Sequence, residues 1–310
     1  MYDVIVFIKC SGPNTREDNL RDTITSFVDK NKSCDYRFYV TTDQKMEDSA
    51  KEIMSNFPDK LLEMKVSERS WAKDFNEFFE KYQNDSEWIL VSHDDVEYVT
   101  DEYFNTIISS IKGYEDQIGW ITSTSDYYYA DEGQLVTDTF RAGYYKDVGN
   151  WGAMFQLHDM VHLRGAPPFV VKDNLQLVDY PDRPVKVHGI MSAVMLISSE
   201  SLKKVGDCED WTNYTMLIDE DWSLEALRNN LWNVWVPDVF HKHPIRKNLR
   251  PTNNKWEEEA HAGFTEKWGY DTGSYPNGLS ISVEELREKY EGTNIPWSTY
   301  RNSYDWEYLK

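Results

Sequence analysis

Two acidic clusters and one histidine-bearing basic run concentrate the chemistry that this chain's residue types allow. The first closes Trp88-Ile-Leu-Val-Ser-His-Asp-Asp-Val-Glu97, an apolar run of strand length that ends abruptly in adjacent carboxylates. Ligands of open α/β sheets bind outside the carboxyl ends of the strands, and hard divalent cations take oxygen ligands, so acids delivered there suit a metal or phosphate site. Strand alternation puts His93, Asp95 and Glu97 on one side and Asp94 on the other. One carboxylate can hold a Mn2+ or Mg2+ ion that bridges two phosphates while another meets ribose hydroxyls. The same residues also fit a solvated acidic turn.

The second cluster, Asp219, Glu220 and Asp221, precedes a helix whose Leu224, Leu227 and Leu231 share one face. Acids at that positive end fit ordinary N-terminal capping. They equally fit a general base, because a carboxylate kept ionised by helix N–H groups accepts a proton from a hydroxyl as its oxygen attacks. His241 and His243 share one strand face beside the densest basic run, Lys242, Arg246, Lys247 and Arg250. Such cations stabilise a departing diphosphate, or else form a basic surface loop.

The elements that must position these groups follow from periodicity. Val4 to Ile8 reads as a buried strand, followed by the turn Ser11-Gly-Pro-Asn14 and a helix over Asn19 to Val28. Tyr36 to Thr41 is a second strand closing on Asp43, and strand, helix and strand at this spacing imply a right-handed βαβ unit. Ser70 caps a helix whose Phe75, Phe78, Phe79 and Tyr82 share a face, and the acid-bearing strand at Trp88 follows directly. Glu102 to Ile111 is a further helix and Ile118 to Thr122 a further strand. From Ser123 to Lys186 periodicity fades among Tyr127-Tyr-Tyr129, Gly143, Gly149, Trp151 and Gly152, the kind of long irregular stretch that carries recognition loops. Order returns with a strand over Ile190 to Ser198, a short helix over Ser201 to Val205, the acidic helix start at Asp219, and the strand Val234 to Pro237 that runs into His241. Trp256 to Trp268 is the clearest helix of the remainder.

Composition narrows the function classes. The 310 residues suffice for one large α/β domain with a tail. A formal net charge of −21 repels nucleic acid and anionic membrane, so no nucleic-acid partner is expected. Cys10, Cys34 and Cys208 form no CxxC pair, which disfavours a disulfide framework or structural zinc and favours a reducing compartment. The N-terminus lacks a basic segment before its apolar residues, and no apolar stretch approaches bilayer length, so a soluble cytoplasmic protein without a transmembrane segment is expected. Aromatics make up 15% of the chain, enough to line a sugar site as well as a core.

The order of these motifs resembles inverting glycosyltransferases of family 2 with the GT-A fold, over roughly residues 1 to 270. Val4 to Ile8 with Asp43 is similar to that family's first nucleotide-binding strand and base-contacting acid. Ser70-Trp-Ala-Lys-Asp-Phe-Asn76 resembles the segment before its metal motif, with Lys73 and Asn76 at the basic and Asn positions. Ile89 to Val96 resembles its strand and DxD motif, with Asp95 at the second, metal-binding acid, His93 in place of the first, and Asp94 near ribose. Gly189 to Ile197 resembles the acceptor-side strand, Glu220-Asp221 the ED motif, and Val236-Pro237 followed by His243 the closing strand and metal-binding histidine, with His241 as the competing ligand. Phe264-Thr-Glu-Lys-Trp-Gly269 resembles a C-terminal helix ending common in such enzymes.

The resemblance implies an α/β GT-A fold, with a largely parallel, Rossmann-like central sheet flanked by helices. Residues 1–250 would form the transferase domain, nucleotide-binding over 1–100 and acceptor-binding over 101–250, with a helical extension over 251–310. It implies a metal-dependent inverting hexosyl- or deoxyhexosyltransferase that takes a nucleoside diphosphate sugar and a glycan or lipid-linked glycan acceptor. Asp221 would be the base. Asp43, Lys73, Asn76, Asp94, Arg246 and Lys247 would bind donor; Asp95 with His243 or His241 would bind Mn2+ or Mg2+; Glu220, Gly189 and Trp151 would face the acceptor. A sugar-phosphate nucleotidyltransferase and a non-catalytic carbohydrate-binding protein on a decayed GT-A fold remain the alternatives. Against the first, Ser11-Gly-Pro-Asn14 lacks a glycine-rich phosphate loop.

Overall fold

The computed structural model describes residues 1–10, 16–129, 134–135, 182–187, 189–190, 193–211, 217–245, 254–269, 285, 288–295 and 308–309. Trp151, Arg246, Lys247 and Arg250, with most of the irregular 123–186 stretch, lie outside these residues.

Alternating strands and helices build the first half: β1 (Tyr2–Cys10), α1 (Glu17–Lys30), β2 (Tyr36–Thr42), α2 (Glu47–Ser55), β3 (Leu61–Val66), α3 (Trp71–Tyr82) and β4 (Ser86–Ser92). β1 pairs in parallel with both β2 and β4, and β2 in parallel with β3. This is the βαβ connectivity that the strand spacing predicts. The second half adds β5 (Glu97–Tyr98), α4 (Tyr103–Ser110), β6 (Ile118–Tyr129), β7 (Gln134–Leu135), β8 (Val185–Val187), β9 (Val194–Ser198), α5 (Ser199–Val205), α6 (Ile218–Arg228), β10 (Trp232–Ile245) and α7 (Asn254–Trp268). The strands order as β3-β2-β1-β4-β9-β6-β10-β5, with β7 on β6 and β8 on β10. The sheet is therefore parallel from β3 to β4 and mixed beyond, where β9 runs antiparallel to both β4 and β6.

Both faces of this sheet are covered, which is why its central strands read as unbroken apolar runs. Even-numbered residues of β1 and β4 (Val4, Val6, Ile8, Trp88, Leu90) pack with α1, α2 and α4 through Leu20, Ile24, Phe27, Ile53 and Phe104. Odd-numbered ones (Ile5, Phe7, Ile89, Val91) pack with α3, α5 and α6 through Phe75, Phe78, Leu202 and Trp222. The side chain of Ser70 accepts from the Lys73 N–H at 3.3 Å and caps α3 as expected. Gly119 lets α6 approach β6, since a Cβ there would lie 2.5 Å from the Ala226 Cβ.

β6 and β10 decide where the histidines go. The two strands run parallel, but the register jumps between Val236 and Phe240, so that Val236 faces Ser123 while Phe240 faces the very next residue, Thr124. The extra residues of β10 form a bulge at Pro237, which has no N–H for the ladder and whose carbonyl instead accepts from the Thr124 hydroxyl at 2.7 Å. Val234 and Val236 lie in the same core as Val239, so the bulge switches that face from even to odd positions, and His241 and His243 follow on it. Each of β4, β6 and β10 is antiparallel to β9 or parallel to a strand that is, so their C-terminal ends share one edge of the sheet.

The C-terminal segment returns to the sheet. Tyr308 bridges Val185 in antiparallel fashion, and the Arg183 guanidinium lies 4.2 Å from the Tyr308 ring centre. Among the described residues, no helix is long and apolar enough to cross a membrane.

Candidate metal and nucleotide site

Where β4 ends, the chain turns through His93, Asp94 and Asp95 before β5. His243 arrives from β10, and the donor atoms of His93, Asp95 and His243 lie within 4.8 Å of one another. His243 Nε2 is 3.1 Å from Asp95 Oδ1 and 3.4 Å from His93 Nδ1, and His93 Nδ1 is 3.9 Å from Asp95 Oδ1. Ligand atoms about 2.1 Å from a common ion stand about 3.0 Å apart at octahedral angles and about 3.4 Å apart at tetrahedral ones. Two of the three separations match these values, so the residues fit a divalent cation.

The electrostatics support the same use. Burial, with the neighbouring His243 adding to it, pushes His93 down to about 4, so its imidazole is neutral and its lone pair available at pH 7. Burial works to raise the Asp95 carboxyl, but the imidazoles of His243 and His93 outweigh it and hold Asp95 below the usual carboxylate range. The trio thus offers one anionic oxygen and two imidazole nitrogens. His93, which departs from the acid of the DxD pattern, is a member of the group in its own right.

His241 is not among the three. It is buried, and its Nδ1 is taken by the Ser123 hydroxyl at 2.6 Å, which also meets the Tyr103 hydroxyl at 2.5 Å. Burial pushes His241 down to about 3 and keeps it neutral beside the cluster. Glu97, placed by alternation with His93 and Asp95, instead follows the turn on β5 and pairs with Lys242 at 2.8 Å. Alternation holds within a strand, and His93 to Asp95 lie beyond the end of β4.

Asp94 turns the other way, as expected. It hydrogen-bonds the buried Cys10 at the end of β1, and burial together with Asp94 and the charge of Asp43 pushes that thiol up. Asp43, just past β2, accepts from the Met46 N–H at 3.0 Å. Asp43 and Asp94 therefore flank the ends of three adjacent parallel strands, β2, β1 and β4, where such sheets bind nucleotides.

Lys73 and Asn76 point elsewhere. Lys73 pairs with Asp210 at 2.8 Å, and Asn76 clasps the Cys208 backbone, donating to its carbonyl at 2.9 Å and accepting from its N–H at 2.8 Å. Asn76→Ala is expected to cost about 1–3 kcal/mol in urea unfolding, because both Cys208 groups lose their partner, while nucleotide affinity holds. Unchanged stability with weakened nucleotide binding would return Asn76 to a donor role.

On the acceptor side, Asp219, Glu220 and Asp221 occupy the first turn of α6 and diverge. The charge of Asp219 is felt at His93. Asp221 points into the protein, where Trp268 Nε1 donates to its Oδ1 at 2.8 Å and Lys267 Nζ lies 2.8 Å from the same oxygen. Burial raises the Asp221 carboxyl to about 6 against the lowering effect of Lys267 and Trp268. Glu220 is half-buried, and Gly189 is buried beside Ile190, whose N–H donates to the Ser223 hydroxyl of α6 at 3.2 Å. Position in the chain did not single out Cys10 or Lys9, and Lys267 entered only as part of the Phe264 to Gly269 motif. Lys9 is an ion-pair partner of the fully buried Asp74 at 2.5 Å and ties α3 to the end of β1; the only sequence signal was a cation ending an apolar strand.

No family model matches this chain, and no curated protein sequence does. Solved structures do. The chain is similar to GalNAc-T7 with UDP, GalNAc and Mn2+, at a TM-score of 0.57 and 12% identity over 94% of this chain and 55% of that one. It is also similar to the mannosyltransferase PcManGT from Pyrobaculum calidifontis in complex with GDP-Man and Mn2+, at a TM-score of 0.53 and 10% identity over 86% of this chain and 63% of that one. The chain thus spans less than two thirds of the length of either. The shared architecture is the GT-A glycosyltransferase fold.

Proposed function

We propose that this GT-A chain is a metal-dependent glycosyltransferase that moves a sugar from a nucleoside diphosphate donor to a hydroxyl of a glycan acceptor with inversion. The observation that carries the reading is the convergence of His93, Asp95 and His243 at the strand edge that also bears Asp43 and Asp94. Both structural neighbours hold a nucleotide or nucleotide sugar together with Mn2+, which supports a nucleotide-sugar donor and a divalent ion for this chain.

In this reading residues 1–100 hold the nucleotide, with Asp43 toward the base and Asp94 toward ribose hydroxyls. Residues 101–250 shape the acceptor side, with Glu220, Gly189 and Trp151, and residues 251–310 form the extension. His93, Asp95 and His243 would hold Mn2+ or Mg2+, which when bound would supply positive charge to offset that of the departing diphosphate. Arg246 and Lys247, which follow β10 in the sequence, would add positive charge for the diphosphate. Asp221 takes the proton of the acceptor hydroxyl while that oxygen bonds to the anomeric carbon and the bond from that carbon to the diphosphate oxygen breaks. Attack opposite the leaving group inverts the centre. The three cysteines are free and buried, in keeping with a reducing, cytoplasmic setting.

The test is a melting-temperature screen of UDP, GDP, dTDP and CMP with and without Mn2+. A ligand at 100 times its Kd stabilises the fold by about 2.7 kcal/mol, which moves the midpoint by several degrees. A metal-dependent rise with one nucleoside diphosphate is expected. A response to a nucleoside triphosphate with release of pyrophosphate would replace the reading by nucleotidyl transfer, and glycan binding without nucleotide affinity by a binding protein.

A further inference from the structure

The last turn of α7 reaches across to the acidic start of α6 and makes a closed set of contacts there. Lys267 Nζ lies 2.8 Å from Asp221 Oδ1, 2.9 Å from Glu225 Oε1 and 3.1 Å from Glu209 Oε1. Trp268 Nε1 adds a 2.8 Å donor to Asp221 Oδ1. Both residues are themselves held from behind: the Tyr290 hydroxyl donates to the Trp268 carbonyl at 2.5 Å, and Lys289 Nζ donates to the Lys267 carbonyl at 2.7 Å. Trp268 and Asp221 are each 1% exposed, so the contacts are made away from solvent screening.

We infer that Lys267 and Trp268 are positioning residues for the Asp221 carboxylate, orienting it and keeping it ionised for proton transfer. The inference rests on the reading of Asp221 as the base. A cation and a fixed indole donor on one buried carboxylate exceed what joining two helices requires, and a hydrophobic contact in their place would cost less desolvation. A buried carboxylate without a cation would stay protonated at neutral pH and could not accept a proton. The carboxyl at about 6 reflects that balance, burial raising it and Lys267 with Trp268 opposing. Glu225 on its own helix raises it but is shared with Arg228 at 2.6 Å; Lys267 is the cation from α7 and is itself shared with Glu209, and from the segment after α5 the buried Cys208 feels the charge of Asp221.

The experiment compares Lys267→Met, Lys267→Arg, Trp268→Phe and Asp221→Asn with the parent chain. It follows release of nucleoside diphosphate from UDP-GalNAc and GDP-Man as a function of pH, alongside thermal stability. Removing the cation must raise the Asp221 carboxyl, so the acid limb of kcat/KM in Lys267→Met is expected to move up by at least about one pH unit. Lys267→Arg should bring the limb back, and Trp268→Phe should move it up by a smaller amount. A limb that stays in place in Lys267→Met while only the melting temperature falls would overturn the inference and leave a structural clamp. If Lys267→Met does not fold, an unmoved limb in Trp268→Phe overturns it equally. Full activity in Asp221→Asn would instead remove the base assignment itself, so the two failures are told apart.

Discussion

Asp95→Ala should lower Mn2+ affinity about 100-fold or more and abolish metal-dependent nucleotide binding, with the fold intact. Asp95 supplies the only carboxylate ligand atom of the trio, and its removal leaves two imidazoles that bind a divalent cation weakly. The residue sits half-buried in the turn after β4, so little packing is lost. Titration calorimetry with Mn2+, then with Mn2+ and the nucleotide found by melting screen, reads the effect directly. Wild-type binding in Asp95→Ala would remove the metal assignment. The companion change His93→Asp alters selectivity as well as affinity. Nitrogen ligands favour Mn2+ over Mg2+, and an oxygen at position 93 should narrow that preference.

The second large effect is expected from Asp221→Asn. Nearly isosteric, it keeps an oxygen for the Trp268 N–H, and Glu225 and Glu209 still neutralise Lys267. It removes only the capacity to accept a proton, so kcat should fall by about 10²–10⁴ while nucleotide binding changes little. Lost nucleotide binding would make Asp221 structural instead. Unchanged kcat would pass the role to another acid of the same turn, with Asp219, whose charge reaches His93, the first to substitute.

Much of the frame was legible because it depends on local pattern. β1, α1, β2, α3, β4, α6 and α7 are found where apolar periodicity and the Ser70 cap place them. α2 and β3 escaped sequence reading for identifiable reasons. Only Ala50, Ile53 and Met54 of α2 are buried, too short a stripe to stand out, and every residue of the edge strand β3 is half-buried, so no alternation shows. β6 extends to Tyr129, well past the predicted Thr122, because its continuation from Ser123 to Tyr129 pairs with β10, a long-range partner that no apolar alternation signals.

The sequence by itself determined that acids and a histidine would close a buried parallel strand, that a second acidic turn would open a helix, and that two histidines would share one strand face. These follow from burial periodicities of two and 3.6 residues, which are local. The tertiary structure alone decided which of those groups meet. His93 and His243 are 150 positions apart, and they converge because β10 runs in the same direction as β4 and a bulge at Pro237 switches its faces. Lys267 reaches Asp221 because α7 folds back on α6, placing a cation 46 positions away against a buried carboxylate. Strand order, register and helix docking are collective outcomes of packing over the whole chain, and side-chain convergence is set at that level.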